Sequence, residues 1–158
     1  MSELKQKIRA DLKTAMKARE KGRTNTIRML LAAIQAEEMS GAQHEATEEE
    51  VIAVIAREIK KRRESAEIYQ ENDRLDLAEV ELAEIAVLET YQPEQLDDAA
   101  VAELVSAAVA AVAAAQGIEV SEVGMKQMGP VMKEATGRAA GGVDGKRLSG
   151  AVRHRLAG

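Results

Sequence analysis

Apolar residues recur along this chain at helical spacing from end to end. Leu4, Ile8, Leu12, Ala15 and Met16 predict a first helix from a Ser2 cap to about Glu20, closed by Gly22. The basic residues Lys5, Lys7, Arg9, Lys13 and Lys17 read as its solvated remainder. Thr24 to Thr26 supplies capping side chains for a second helix, striped by Ile27, Leu30, Leu31 and Ile34 and stopped at Gly41. The next loop carries His44, read as a surface histidine with no partner nearby in the chain. Thr47 and Glu50 form a T-x-x-E capping box ahead of a third helix that runs to about Glu71, with Val51, Ile55, Ile59, Ala66 and Tyr69 on one stripe. Arg62 falls on that stripe, so pairing with a glutamate of the next helix is expected. A turn at Asn72-Asp73 leads to a fourth helix, about Arg74 to Tyr91, whose apolar face includes Leu77, Leu82, Ile85 and Leu88. Pro93 closes it by forcing Gln92 out of the helical region. The short turn between the third and fourth helices makes them an antiparallel hairpin.

Residues 93–97 read as a domain boundary. Beyond them, Asp97 or Asp98 caps a fifth helix to about Gln116, with Gly117 at its end. A short sixth helix, Lys126 to Ala135, carries Met128, Val131, Met132 and Ala135 at helical spacing. Pro130 is tolerable only in the first turn, which moves the start toward residue 128. Gly137 to Gly142 reads as a flexible loop, and Asp144 caps a seventh helix with Leu148, Val152 and Leu156 four apart. The expected fold class is all-α with two helical domains. These are an N-terminal helical bundle with an antiparallel hairpin, residues 1–93, and a smaller C-terminal three-helix domain, residues 97–158.

Composition narrows the packing. The 158 residues include no Phe, Trp or Cys and only two tyrosines, Tyr69 and Tyr91, so the core must be aliphatic and its helices must approach closely. Without cysteine there is neither a disulfide nor a thiolate metal site, which fits a reducing compartment. The N-terminus is charged from residue 3, unlike a signal peptide. The most apolar run, Ala107 to Ala115, is about half the length of a membrane span. The expectation is a cytoplasmic protein with no membrane partner.

Charge is unevenly placed. Residues 1–28 are net +6, residues 29–123 net -16 and residues 124–158 net +5. This pattern has two readings: the basic ends neutralise the acidic middle, or they form a positive surface for a polyanion. The run Arg57 to Glu64 looks like a nucleic-acid patch, but its charges fan around a helix among Glu58, Glu64 and Glu67, and a solvated face accounts for it.

Several segments resemble the GatB/YqeY family, small proteins similar to the C-terminal tail of the B subunit of the tRNA-dependent Asp/Glu-tRNA amidotransferase. They are Ile27 to Leu30, Arg57 to Ser65, Arg74 to Glu79, Glu84 to Leu96, Met128 to Met132, Gly137 to Ala139 and Val152 to Leu156. The Tyr91-Gln92-Pro93-Glu94-Gln95-Leu96 junction and the Met128-Gly129-Pro130-Val131-Met132 helix are the most specific, and neither is a catalytic signature. The chain departs from the family pattern at Pro130, where lysine is common, and in a longer loop from Ala139 to Val143. The resemblance implies two helical domains and an association with tRNA. It places the candidate RNA contacts at Lys126, Arg138, Lys146, Arg147, Arg153 and Arg155, and makes Pro93, Met128, Gly129 and Met132 structural, alongside Arg62.

No enzymatic constellation accompanies this. Gly141-x-x-x-Gly145-Lys146-Arg147 imitates a phosphate loop but is one residue short, has Arg147 in place of Ser/Thr and comes after no strand. His44 and His154 lie far apart, so no metal is expected, and no cofactor is implied. Three readings remain: a non-catalytic module that binds tRNA by shape and backbone charge, an adaptor that binds a protein of aminoacyl-tRNA metabolism through the small domain, and an accessory to carbon–nitrogen ligase activity with glutamine as amide donor. The lack of Phe and Trp argues against base stacking on single strands and leaves phosphate contacts to folded RNA. In the adaptor reading Met128 and Met132 are adaptable contacts; their other role is core filling.

Overall fold

The computed structural model describes every residue, Met1–Gly158, and contains seven α-helices, two short 3-10 turns and no strand. The helices are α1 (Glu3–Lys17), α2 (Lys21–Glu38), α3 (Glu48–Glu71), α4 (Leu75–Glu89), α5 (Asp98–Gln116), α6 (Met128–Ala139) and α7 (Gly145–Ala157). The 3-10 turns, Val120–Glu122 and Met125–Gln127, lie between α5 and α6. The backbone groups into two compact units, Met1–Gln92 and Pro93–Gly158.

In the first unit α1 and α2 form one antiparallel pair and α3 and α4 a second, with α2 packed on both α3 and α4. Ile8, Ile27, Leu30, Ile34, Val51, Ile55 and Leu88 close the core with essentially no exposure. The Thr47–Glu50 capping box is formed: the Glu50 N–H donates to Thr47 Oγ1 at 3.2 Å and the Thr47 N–H to Glu50 Oε2 at 2.8 Å. Ser2 caps α1, its oxygen accepting from the Lys5 N–H at 3.1 Å. A second capping group comes from α3: Glu48 accepts from the Ser2 hydroxyl and from the Leu4 N–H, using an orphan donor of the first turn of α1.

Two local expectations are corrected here. The first helix does not end at Gly22. The chain reverses at Arg19, which takes the left-handed φ of 58°, and Gly22 lies in the first turn of α2. The packing of Ile8 and Ala15 against Ile27 and Ile34 leaves only Ala18 to Glu20 for the reversal, so a non-glycine residue accepts the strain. Thr24 and Thr26 do not cap α2. Both are buried, and the Thr26 hydroxyl donates back to the Gly22 carbonyl at 3.0 Å.

Lys5 is not solvated either: it is 5 % exposed and its ammonium pairs with Glu38. Glu38 also accepts the Ala46 N–H at 3.0 Å, and that bond, then Lys5, holds its carboxyl below the usual glutamate range. The loop between α2 and α3 is thereby tied to α1. His44 also has partners: Nδ1 lies 3.1 Å from the Ala42 carbonyl and Nε2 2.9 Å from Glu50. The Ala42 carbonyl first, and Glu50 second, raise its pKa. This tie is complete below the ordinary histidine value of about 6.5 and weakens as pH rises through the raised one.

Arg62, 4 % exposed, joins α3 to α4. Its Nε donates to Glu84 at 2.7 Å, and Nη1 to Glu58 at 2.6 Å and to the Glu58 carbonyl at 3.1 Å. The expected acid on the next helix is thus Glu84, and Glu58 of the same helix is a second partner. Tyr91, past the end of α4, is buried and donates its hydroxyl to Asp11 of α1 at 2.7 Å. Burial pushes the Asp11 carboxyl up; the Tyr91 hydroxyl, Lys7 and Arg23 more than reverse this.

In the second unit α5, α6 and α7 pack pairwise around Val101, Val105, Val109, Val131, Leu148 and Val152. α5 is longer than the apolar run within it: its 19 residues, with mean hydropathy 1.7 over an 18-residue window, would suit a membrane span by length and composition. Here Val101, Val105, Ala108, Val109 and Val112 face this core. Asp97 caps α5, Gly117 ends it at φ 64°, and Asp144 caps α7.

α6 runs four residues past Ala135, so Gly137 and Arg138 are helical rather than part of a loop. Ala135 and Ala139 continue its buried stripe, which carries the helix on despite Gly137. The chain then reverses tightly at Ala140 (φ 47°) and Gly141 (φ 84°). Gly142 is buried beneath the segment entering α5: its carbonyl accepts the Leu96 N–H at 2.9 Å, and a Cβ there would meet Glu94 O and Leu96 Cγ at 3.2 Å.

Arg62→Ala leaves two half-buried carboxylates unpaired and is expected to lower the stability of the first unit by about 3 kcal/mol in urea unfolding, with Arg62→Lys recovering only part. Tyr91→Phe is expected to cost about 1 kcal/mol at neutral pH. Because the Asp11 pKa is depressed, its contribution is present above the unfolded aspartate value of about 3.9 and fades as pH falls through the folded one. The gap between wild type and Tyr91→Phe in a pH series of unfolding curves should close on the acid side.

Candidate functional site

The six basic residues expected to contact RNA fall on three segments of the second unit: Lys126 in the 3-10 turn before α6, Arg138 near the end of α6, and Lys146, Arg147, Arg153 and Arg155 on α7. They are not equivalent. Arg147 is built into the fold: Nη1 donates to the Leu96 carbonyl and Nη2 to Asp98, each at 2.6 Å. It ties α7 to the start of α5 through these two bonds. Arg138 is exposed but held by Glu134, one turn back, at 3.1 Å. Lys126, Lys146, Arg153 and Arg155 are exposed with no carboxylate within ion-pair distance.

Helix geometry divides these four further. Lys146 and Arg153 are two turns apart on one side of α7, while Arg155 lies across the buried Leu148–Val152–Leu156 stripe. Lys133 is a further cation that the family resemblance does not mark. It is exposed on α6, has no carboxylate partner, and lines a shallow groove of about 470 Å³ between α5 and α6 with Pro130, Gly137 and Arg138. Its basic character is legible in the sequence; its place beside Arg138 depends on the extension of α6 past Ala135.

The residues assigned structural roles behave differently from one another. Met128 and Met132 are half-buried against the second core, so core filling accounts for them. Pro130 is the third residue of α6, where a missing N–H costs nothing. Gly129 has open space where a Cβ would stand, so no steric demand for glycine exists there. In the run Arg57 to Glu64, Arg57 pairs with Glu37 at 2.5 Å and Arg63 with Glu89 at 3.4 Å, beside the Arg62 pairs. Three of its five bases are therefore ties between helices or within one.

The chain is an all-helical protein with seven helices, and its candidate surface is a set of exposed cations without carboxylate partners. A Yqey-like protein family profile matches residues 5–156, and the chain belongs to that family. Among its relatives is "Altered inheritance of mitochondria protein 41, mitochondrial" of Pyrenophora tritici-repentis, 33% identical over 139 residues, covering 84% of this chain and 71% of that protein. The protein of the same name in Meyerozyma guilliermondii is 34% identical over 84 residues, 53% of this chain and 43% of its own length. An uncharacterized protein of Schizosaccharomyces pombe is 34% identical over 87 residues, 55% of this chain and 70% of its own. The match thus spans less than half of the Meyerozyma guilliermondii relative.

The cytoplasmic location expected from composition is corrected by this comparison, since four of the relatives are named as mitochondrial. Absence of cysteine and a charged N-terminus do not single out one compartment.

Arg147→Gln is expected to destabilise the second unit by about 1–2 kcal/mol through loss of two bonds from a charged donor. Arg153→Gln should leave stability within about 0.5 kcal/mol of wild type. Thermal unfolding of the two variants side by side checks the distinction.

Proposed function

We propose that this protein is a non-catalytic helical module that associates with folded tRNA through phosphate contacts from the second unit. In this reading each unit is a domain, and the second is the counterpart of the tail of the tRNA-dependent amidotransferase. The observation that carries the reading is the set of exposed cations without carboxylate partners between residues 124 and 158: Lys126, Lys133, Lys146, Arg153 and Arg155. In a chain of net charge -5, cations left unpaired on one segment retain their attraction for a polyanion. Arg147 is withdrawn from the contact set because its bonds are internal, and Arg138 contributes only by giving up Glu134. A protein partner of aminoacyl-tRNA metabolism is the competing reading. The α5–α6 groove, with Ala111, Val112, Ala115 and Pro130 in its walls, is the feature that favours it.

The test is binding of bulk folded tRNA across a salt titration. Five cations each neutralising one phosphate give a slope of log K against log salt of about -4 to -5, a loss of affinity of roughly several hundredfold between 50 and 200 mM salt. Replacing Lys146, Arg153 and Arg155 with glutamine should flatten that slope by about 2–3. No binding at low salt, where screening is weakest, overturns the tRNA reading and leaves the protein-partner one.

A further inference from the structure

We propose that the first unit carries its own surface for the phosphate backbone of folded RNA. It is a cationic ridge formed by Arg9, Lys13 and Lys17 along α1 and continued by Arg19 and Lys21 over the reversal into α2. The proposal rests on the tRNA reading for its partner and adds contacts from the other unit.

Residues 1–28 hold nine Lys/Arg against three acids, and the fold sorts the nine into two groups. Lys5, Lys7 and Arg23 are spent on Glu38, Asp11 and Glu20. Arg9, Lys13, Lys17, Arg19, Lys21 and Arg28 are exposed and have no carboxylate within ion-pair distance. Of the three acids, Asp11 is held by Lys7 and the Tyr91 hydroxyl, Glu20 is held by Arg23, and Glu3 lies in the opposite end turn of α1. The ridge therefore keeps its charge.

Helix geometry aligns these cations. Arg9, Lys13 and Lys17 follow at four-residue spacing, so they stand in one row on the exposed side of α1, neighbours about 5–6 Å apart. A polynucleotide strand presents its charges in a line, and a row of cations can follow it from one phosphate to the next. One residue past Lys17 the chain reverses at Arg19, with its left-handed φ of 58°, and Lys21 opens α2. Glycine would take that φ without strain, yet this position holds a charge at the tip. Arg28 borders the row from α2: its Nη2 lies 3.8 Å from Met16 Sδ, and Met16 is one turn beyond Lys13.

The character of the ridge selects the partner. α1 turns Leu4, Ile8 and Leu12 to the core, so apart from the half-exposed Met16 this side offers no large apolar residue to enter a bilayer. Neither tyrosine lies on it, so bases find no ring to stack on. What remains is charge in a line, which suits phosphates. Lys60 and Lys61 of α3 are a contrast within the same unit. They too lack an ion pair, but they share their side of the helix with Glu64 and Glu67, which offset them.

The test is binding of bulk folded tRNA to the full chain across a salt titration, with two double variants that remove equal charge. Lys13→Gln with Lys17→Gln should flatten the slope of log K against log salt by about 1.5–2. Lys60→Gln with Lys61→Gln should leave it unchanged. The α1 pair should have the same effect in a chain whose Lys146, Arg153 and Arg155 are already glutamine, since the two surfaces act separately. Arg19→Gly should flatten the slope by about 1 without lowering the unfolding temperature, which separates lost contact from lost fold. The proposal is overturned if wild type binds tRNA and the α1 pair keeps the wild-type slope, a result that leaves the tRNA reading standing on the second unit alone. It is overturned if the α3 pair flattens the slope as much, because net charge then accounts for the effect. No binding by wild type at low salt overturns both readings. Vesicles of phosphatidylserine and phosphatidylcholine give the remaining outcome: if the α1 pair loses binding to them and not to tRNA, the ridge belongs to a membrane surface and the proposal fails.

Discussion

A core without Phe or Trp has to be closed by helices that come close together. In the second unit the buried hydrophobic side chains are only valine, alanine and leucine, and the contact faces of α5 and α6 carry Ala108, Ala113, Ala135 and Ala139. Interior packing density tolerates few voids, so small side chains are compatible with a filled core only when backbones approach. The same closeness is seen where Gly142 is buried under Leu96: a Cβ there would press on Glu94 O and Leu96 Cγ at 3.2 Å in the segment entering α5.

Aliphatic side chains of similar size pack in more than one register, and in the first unit the polar groups are specific where the apolar ones are not. Lys5 meets Glu38, Arg62 meets Glu84, and Tyr91 meets Asp11, each joining residues at least 22 positions apart. If α3 slid one turn along α4, Arg62 would lose Glu84 and remain buried with half its partners. Glu48 adds a capping contact between α3 and the start of α1. These pairs lie at the edges of the core, where a long side chain can bury its stem and still place its charge on a partner.

The functional surfaces are defined by what this pairing leaves over. Most arginines are committed to carboxylates or backbone carbonyls, so the uncommitted cations carry the information. On α7 the distinction runs between near neighbours: Arg147 ties two helices, while Arg153 and Arg155 point outward on either side of the buried stripe. Membership of the Yqey-like family accounts for the long stretches that match, several of which hold the helices together rather than display a site.

The sequence by itself determined the seven helices and their order, the Thr47–Glu50 box, the Asp97, Gly117 and Asp144 caps, and the anomaly of an arginine on an apolar stripe. These depend on residues within one or two turns of each other, which is the range over which spacing carries a signal. Only the tertiary structure decided that Lys5 is buried, that Arg19 rather than Gly22 makes the first reversal, that α6 continues through Gly137, and that Arg147 belongs to the fold while Arg153 belongs to the surface. A lysine or arginine looks the same in sequence on any face of a helix. Whether it is a tie or a free charge depends on partners such as Glu38, 33 residues from Lys5, or Asp98, 49 residues from Arg147, and no local pattern encodes those meetings.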